Sequence, residues 1–171
     1  DNNLNKLSKL SVEELITFKG IGEAKAISII TALELGKRRQ FENVISLPKI
    51  TSSRDACNLM QPIIGDLQHE EFWVLYLNNS NKVLAKHQIS KGGLTSTLVD
   101  VRLLYKRAFE LTAVGLIVCH NHPSGKLQPS VSDKQLTAKI KTAGETLDIK
   151  LLDHLIITEK AYFSFADENI L

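Results

Sequence analysis

The residues with the clearest chemical potential lie between His120 and Asp133, where the spacing is His-x-His-x7-Ser-x2-Asp. His120, His122 and Asp133 offer two imidazole nitrogens and one carboxylate oxygen. Three such ligands leave the fourth position of a tetrahedral Zn²⁺ open for water, whereas a structural zinc site is closed by four protein ligands that usually include cysteines. The run therefore predicts metal-assisted hydrolysis, provided that a general base comes from elsewhere in the chain.

The predicted elements around this run would bring its ligands together. Residues 114–119 form a continuous apolar stretch, which is typical of a strand buried on both faces. His120 and His122 follow it with one residue between them, so they project to the same side of an extended backbone. Residues 123–125 then turn the chain sharply, and the helix that follows would place Asp133 in its first turn.

Each part of the run also has an ordinary structural interpretation. Ser130 and Asp133 match a capping box at the start of a helix, with aspartate in place of glutamate. A single histidine near the end of a strand is most often a hydrogen-bonded core or surface residue. Neither interpretation explains two histidines on one face at a sharp turn, so the combination favours a metal site.

A hydrolase of this design needs a base that takes a proton from the attacking water. Glu70 and Glu71 are the candidates, because they directly precede the apolar residues 72–75 of a predicted strand. An apolar environment raises the pKa of a carboxyl group, which suits it to this role, and a nearby cation tempers the effect. Solvation of a strand edge is the alternative explanation for both glutamates.

The remaining sequence predicts an α/β fold, in which helices flank a mixed sheet and a small helical hairpin precedes them. Helices are expected at residues 11–17, 23–39, 51–65, 100–111 and 130–147, and strands at residues 71–77, 82–89, 95–99, 114–119, 150–158 and 162–165. Three segments follow from this pattern: a hairpin at 1–39, a linker at 40–50 and a hydrolase domain at 51–171. The site would lie at the carboxyl end of a central strand, where open α/β sheets place ligands.

The composition is that of an ordinary globular protein. The chain has 171 residues, of which 43% are hydrophobic and 23% charged, enough for one full domain with a small appendage. No apolar run approaches the roughly 18 residues of a membrane span, and no signal peptide is visible. The only cysteines, Cys57 and Cys119, exclude a disulfide framework and any four-cysteine metal site. We expect a cytoplasmic protein without membrane contact.

Several separated motifs resemble known families. The spacing of the candidate metal ligands, together with an upstream glutamate at the start of a strand, resembles the JAMM (MPN+) metalloprotease motif. The surrounding sequence looks like bacterial RadC-type proteins. The motifs that carry the second resemblance are His120-Asn121-His122-Pro123-Ser124-Gly125, Pro129-Ser130, Asp133, Leu152-Asp153-His154 and Tyr162-Phe163-Ser164-Phe165. The resemblance covers residues 50–171 and implies a cytidine-deaminase-like α/β fold.

The resemblance also implies roles for the residues of the run. His120, His122 and Asp133 would be the ligands of Zn²⁺. Ser130 would steady the bound water and the developing oxyanion. The activity implied is hydrolysis of an amide or isopeptide bond in a protein or peptide, and the historical label of RadC proteins links them to DNA repair.

The resemblance favours Glu70 as the base. The JAMM pattern reads Glu-x-hydrophobic into a strand, and Phe72 occupies the hydrophobic place; Glu71 is the alternative. The chain departs from the pattern at one position, because many RadC relatives have Pro-Arg-Glu where this sequence has Val101-Arg102-Leu103. This chain therefore lacks the glutamate of the Pro-Arg-Glu sequence and any role that it has in those relatives.

The other histidines are expected to have supporting or ordinary roles. His154 follows Asp153 on a predicted strand, where it would either orient a metal ligand or be a hydrogen-bonded core histidine, the more common case. His69 and His87 are expected at the surface. The loop at residues 91–93 would either line a substrate groove or serve as a plain hairpin connection.

Residues 18–26 resemble a helix-hairpin-helix motif, which RadC proteins also carry. Its glycines would let the backbone approach a DNA phosphate, and the second helix would offer free N–H groups at its start. The net charge of +2 gives no global basic field, although lysines and arginines cluster locally at positions 19, 25 and 37–39. Residues 18–39 would either contact DNA or serve purely as a structural scaffold.

Three other functions compete with the hydrolase. A DNA-binding repair accessory protein with a non-catalytic metal site is the main alternative. The sequence His-Asn-His at 120–122 matches the three letters that name the HNH nucleases. Those nucleases, however, spread the three residues over a longer ββα unit. A zinc nucleobase deaminase is disfavoured, because it needs a Pro-Cys-x-x-Cys pair that this chain lacks.

Overall fold

The computed structural model describes residues 3–41, 47–92 and 99–171, and the chain divides into two units at residues 46 and 47. The helices of the first unit are α1 (Leu4–Leu7), α2 (Val12–Ile16) and α3 (Glu23–Phe41). α2 starts with the predicted capping box, in which Ser11 and Glu14 bond each other's backbone N–H groups. α3 extends two residues past its predicted end at residue 39, because no glycine or proline interrupts it between residues 37 and 41. The linker at residues 40–50 stays a prediction.

The turn between α2 and α3 has the backbone conformation that the glycines of this segment permit. Gly20 has a φ of +88°, in the left-handed region. The Lys25 ammonium donates a hydrogen bond to the Gly20 carbonyl oxygen at 3.0 Å, which ties the start of α3 to the turn. α2 packs against α3, as expected of a helical hairpin.

The second unit is built on a mixed sheet, as predicted, and in the described part of the chain this sheet has five strands. The strands are β1 (Glu71–Leu77), β2 (Val83–Lys91), β3 (Gly115–Asn121), β4 (Lys150–Ile157) and β5 (Tyr162–Ser164). Their order across the sheet is β2-β1-β3-β4-β5, and only β3 and β4 run parallel. β3 therefore occupies the centre of the sheet, which explains why all seven of its residues are buried.

Helices cover both faces of the sheet. They are α4 (Ser53–Ile64), α5 (Val101–Glu110) and α6 (Val131–Thr146). Because successive strand residues face opposite sides, Leu116 and Val118 of β3 pack with α5 and α6, whereas Ile117 and Cys119 pack with α4. No helix in the described part of the chain has both the length and the apolar character needed to cross a membrane.

Two predicted boundaries near the site differ from the structure. β3 does not end at residue 119, because His120 and Asn121 pair with Ile156 and Ile157 of β4. Lys91 belongs to β2 instead of a loop, since it pairs with Glu71. Gly93 and most of the strand predicted at 95–99 lie outside the described residues.

Serine and aspartate N-caps explain why three predicted helices start one or two residues before the observed ones. Ser52, Asp100 and Ser130 are N-caps and precede the first helical residue of α4, α5 and α6. Their side chains accept hydrogen bonds from backbone N–H groups of the first turn. The cap of α6 lies within the run from His120 to Asp133.

Gly144 permits the close packing that holds α6 against its neighbours. A Cβ at this position would collide with the carbonyl oxygen of Ile149 and lie 2.6 Å from the Tyr105 hydroxyl oxygen. We expect Gly144→Ala to lower the free energy of unfolding by about 1–3 kcal/mol in urea titrations, because the core is overpacked. Thr142→Ala, on an exposed position of the same helix, should change it by less than about 0.5 kcal/mol. Equal stabilities of the two variants would contradict this account.

Candidate metal centre

The structure brings the three predicted metal ligands together. One ligand atom from each of His120, His122 and Asp133 lies within 4.8 Å of the others. The two Nε2 atoms are 3.0 Å apart, and carboxylate oxygens of Asp133 lie 3.4 Å from Nε2 of His120 and 3.7 Å from Nε2 of His122. Ligand atoms around a tetrahedral ion at about 2.0–2.2 Å are roughly 3.3 Å apart. The donor set and its spacing therefore fit a divalent metal ion.

The end of β3 and the turn after it orient the two histidines. His120 and His122 face the same side of the extended backbone, as predicted. Gly125 donates a backbone hydrogen bond to the His122 carbonyl oxygen at 3.0 Å and has a φ of +76°, which glycine adopts without strain. The turn carries the Lys126 carbonyl oxygen to 2.6 Å from Nδ1 of His122. Since a carbonyl only accepts, Nδ1 carries the proton and Nε2 of the neutral ring is left as an acceptor.

Asp133 serves as a helix cap and also faces the histidines. It lies in the first turn of α6, where its Oδ2 accepts a hydrogen bond from the Ser130 backbone N–H at 2.7 Å, while its own N–H donates to Ser130 Oγ at 3.1 Å. Its Oδ1 is the atom nearest to His120. The capping and metal-ligand interpretations of this residue are thus compatible, because the carboxylate has two oxygens.

The electrostatic environment of the centre favours a positive charge among the three side chains. Burial lowers the pKa of His120 to about 4, so this ring is neutral at pH 7. The nearby Asp133 carboxylate raises the pKa of His122 above its ordinary value. Burial would raise the pKa of Asp133, but the nearby His122 imidazole and the hydrogen bonds from Ser130 outweigh it and lower that pKa strongly. The carboxylate of Asp133 thus favours a positive charge at the centre.

The two glutamates proposed as the base have different surroundings. Glu71 is buried, and its carboxylate bonds His69 Nε2 and Trp73 Nε1, each at 2.8 Å. The negative charge of Glu70, by contrast, contributes to the raised pKa of His122, which relates Glu70 to the centre. The assignment of Glu70 as the base stays a prediction.

Residues 69, 71 and 73 alternate along the chain, and this spacing could have identified the Glu71 cluster in advance. Glu71 and Trp73 are two apart on β1 and share a face, and His69 lies two residues before Glu71, close enough along the chain to bond the same carboxylate. The expectation that His69 is a surface residue was incomplete, since it is only half-exposed and held by Glu71. His87 is exposed, as expected.

Asn121 is a residue of the site that the sequence analysis missed. Its Oδ1 accepts a hydrogen bond from the Glu71 backbone N–H at 2.7 Å, and its Nδ2 donates to the His69 carbonyl oxygen at 2.8 Å. These two bonds bracket Glu70 on both sides along the backbone. A polar amide on a buried strand must find such partners, and this requirement was the available clue.

Ser130 lies beside the centre with its hydroxyl group already engaged. Its Oγ donates to Asp133 Oδ2 at 2.7 Å and lies 2.8 Å from the Ser132 hydroxyl oxygen. The hydroxyl thus helps to hold the carboxylate in place. Its predicted contact with a bound water and an oxyanion stays a prediction.

A cleft adjoins the centre on the His122 side. It has a volume of about 280 Å³ and is lined by residues 65–68 after α4, by the turn that begins at His122, and by residues 158–160 after β4. Backbone and charged side chains from three connections meet there. The cleft offers space for a polar chain next to one of the candidate ligands.

Comparison with known proteins agrees with the geometry. The RadC-like JAB domain family matches residues 50–170. A UPF0758 protein of Flavobacterium johnsoniae is 67% identical over 168 residues, which cover 98% of this chain and 73% of the relative. UPF0758 proteins of Porphyromonas gingivalis and Chlorobaculum parvum are 43% and 40% identical over the whole of this chain and cover 76% and 77% of those relatives. The chain belongs to the RadC-like JAB domain family.

Proposed function

We propose that this protein is a zinc-dependent hydrolase that cleaves an amide or isopeptide bond in a protein or peptide. The observation that carries the proposal is the convergence of His120, His122 and Asp133 beside a cleft. In the part of the chain that the structure describes, no fourth histidine, cysteine or carboxylate joins this group. Three ligands are the number that catalytic zinc sites use.

The residues around the centre suit such a reaction. A Zn²⁺ ion held by the three ligands would lower the pKa of a coordinated water towards about 7 and polarise the scissile carbonyl. The cleft beside His122 would receive the chain to be cut. Glu70 would accept a proton from the attacking water as its oxygen bonds to the carbonyl carbon, and deliver it to the leaving nitrogen as the C–N bond breaks.

The bonds of Asn121 support Glu70 in this role. Because Asn121 holds the backbone at residues 69 and 71, the position of Glu70 relative to β3 is well defined. A base must be held in place to act on one particular water. Glu71 is less suited, since its carboxylate oxygens are occupied by His69 and Trp73.

Removal of a proposed ligand should remove the metal. We expect elemental analysis of the purified protein to find about one zinc per chain, and His122→Ala and Asp133→Ala to lose most of it, because each removes one of three ligands. His87→Ala, an exposed histidine on β2, is the matched control and should keep its zinc. Zinc content undiminished in the two ligand variants would refute the assignment.

Replacement of the two adjacent glutamates should separate catalysis from structure. We expect Glu70→Gln to lower the turnover of the zinc-loaded protein by about 100-fold or more with zinc content unchanged, since the base is lost but no ligand is. Glu71→Gln should keep turnover but unfold at lower urea concentration, because it weakens the bonds to His69 and Trp73. Cleavage would be detected as new amino termini in a complex peptide library by mass spectrometry.

The same experiment distinguishes the main alternative. A repair accessory protein with a non-catalytic metal site would bind zinc but produce no new amino termini, and Glu70→Gln would change nothing. Full turnover in Glu70→Gln, with turnover lost in Glu71→Gln, would transfer the role of base to Glu71.

We also propose that the first unit contacts DNA phosphates through residues 18–39. The left-handed turn at Gly20, fastened by Lys25, supports this proposal because it brings backbone to the surface between two helices. Lys19 and Lys37 are exposed and add positive charge to the same segment.

Charge removal in this segment should weaken DNA binding. We expect Lys19→Ala and Lys37→Ala each to lower the affinity for a fluorescent DNA duplex. Each should also make the affinity less dependent on salt concentration, by the amount expected for the loss of about one phosphate contact. Lys139→Ala, an exposed lysine of α6, should have no such effect. If the wild-type protein showed no salt-dependent change in fluorescence anisotropy, the hairpin would be a scaffold.

A further inference from the structure

His120 is held by a series of hydrogen bonds that runs into the interior of the protein. Its Nδ1 lies 2.8 Å from Nε2 of His154, and Nδ1 of His154 lies 2.6 Å from Oγ1 of Thr137. Thr137 Oγ1 in turn donates to the backbone carbonyl oxygen of Asp133 at 2.6 Å. His120, His154 and Thr137 are all buried. The series joins β3, β4 and α6 behind the candidate metal centre.

The direction of every bond in this series follows from its last member. A carbonyl oxygen only accepts, so the single proton of the Thr137 hydroxyl goes to Asp133, and Oγ1 accepts from Nδ1–H of His154. A fully buried imidazole stays neutral and carries one proton. Nε2 of His154 is therefore an acceptor, and the proton between the two rings belongs to Nδ1 of His120.

We propose that Thr137 and His154 are positioning residues that set the tautomer of His120, so that its Nε2 lone pair faces the metal position before an ion binds. Threonine in a helix commonly bonds the carbonyl four residues earlier. Here that bond uses the only proton of the Thr137 hydroxyl. Its Oγ1 can therefore only accept a hydrogen bond from His154. The proposal rests on the metal-binding part of the proposed function and requires neither hydrolysis nor a known substrate.

Packing holds the rings in the orientation that the series requires. The ring of His154 stacks on Phe165 with a centroid distance of 4.6 Å and an interplanar angle of 14°. The ring of His120 is nearly parallel to that of Phe72, at 6.1 Å. Stacking fixes the plane of each ring, and a ring flip within that plane would put carbon atoms where the bonded nitrogens now lie, so the observed bonds define the orientation.

α6 connects the series to a second ligand. Asp133 contributes its carboxylate to the centre and its carbonyl oxygen to Thr137, which lies one turn later on the same helix. The orientation of His120 is thus tied to that of Asp133 through His154 and Thr137. His122 is oriented separately, by the Lys126 carbonyl oxygen.

Loss of the Thr137 hydroxyl should allow His120 to adopt the other tautomer. In Thr137→Val, Nδ1 of His154 has no acceptor, so the proton of His154 can move to Nε2 and donate to His120. The proton of His120 would then lie on its Nε2, where it opposes a metal ion. We expect Thr137→Val to lower zinc affinity about 10- to 100-fold, the range for loss of a partner behind a metal ligand, in competition titrations with a chromogenic chelator.

Thr137→Ser is the matched control, because it keeps the hydroxyl and removes the methyl group. It should bind zinc within about threefold of the wild type. A role in packing alone predicts the reverse order, since valine preserves the shape of threonine and serine leaves a small void. Unfolding of both metal-free variants in urea separates affinity from stability.

The tautomer itself can be measured without metal. We expect ¹⁵N NMR of the metal-free wild type to show His120 protonated at Nδ1 and bare at Nε2, and Thr137→Val to shift it towards Nε2–H. A wild-type His120 protonated at Nε2 overturns the proposal even if the valine variant does not fold. Unchanged zinc affinity in folded Thr137→Val overturns it while leaving the metal centre intact, whereas absence of zinc binding by the wild type overturns both.

Discussion

The placement of β3 between β1 and β4 is the constraint on which the centre depends. Because His120 pairs with Phe72 on one side and Ile156 on the other, its backbone cannot rotate. Strand alternation then sends His120 towards α6 and Asn121 to the opposite face, where it holds the segment around Glu70. One paired strand thus orients both a candidate metal ligand and the segment of the proposed base.

The centre gathers acceptor groups in a partly buried place, which is costly without a positive charge among them. The capping box of α6 offsets part of this cost, since the start of a helix favours a carboxylate. The Asp133 carboxylate also raises the pKa of His122, as expected where a carboxylate faces an imidazole. The three side chains are thus arranged so that they could hold a metal ion.

The sequence predicted the elements that local chemistry encodes. The capping boxes at Ser11 and Ser130, the strand at residues 71–77 and the close approach of His120 to His122 are confirmed, because each depends on residues only a few positions apart. The end of β3 was wrong, since polar residues at 120 and 121 seemed to leave the strand. Pairing with β4, about 35 residues later, keeps them in it.

By itself, the sequence determined the types and spacing of the ligands and the family to which the chain belongs. The tertiary structure decided how those ligands are held, through the contacts of His154 and Thr137 behind His120 and of Asn121 around Glu70. His120 and His154 are 34 positions apart, and Asn121 and Glu71 are 50 apart. Periodicity and propensity act over a few residues, so bonds across such separations appear only when the strands and helices have packed.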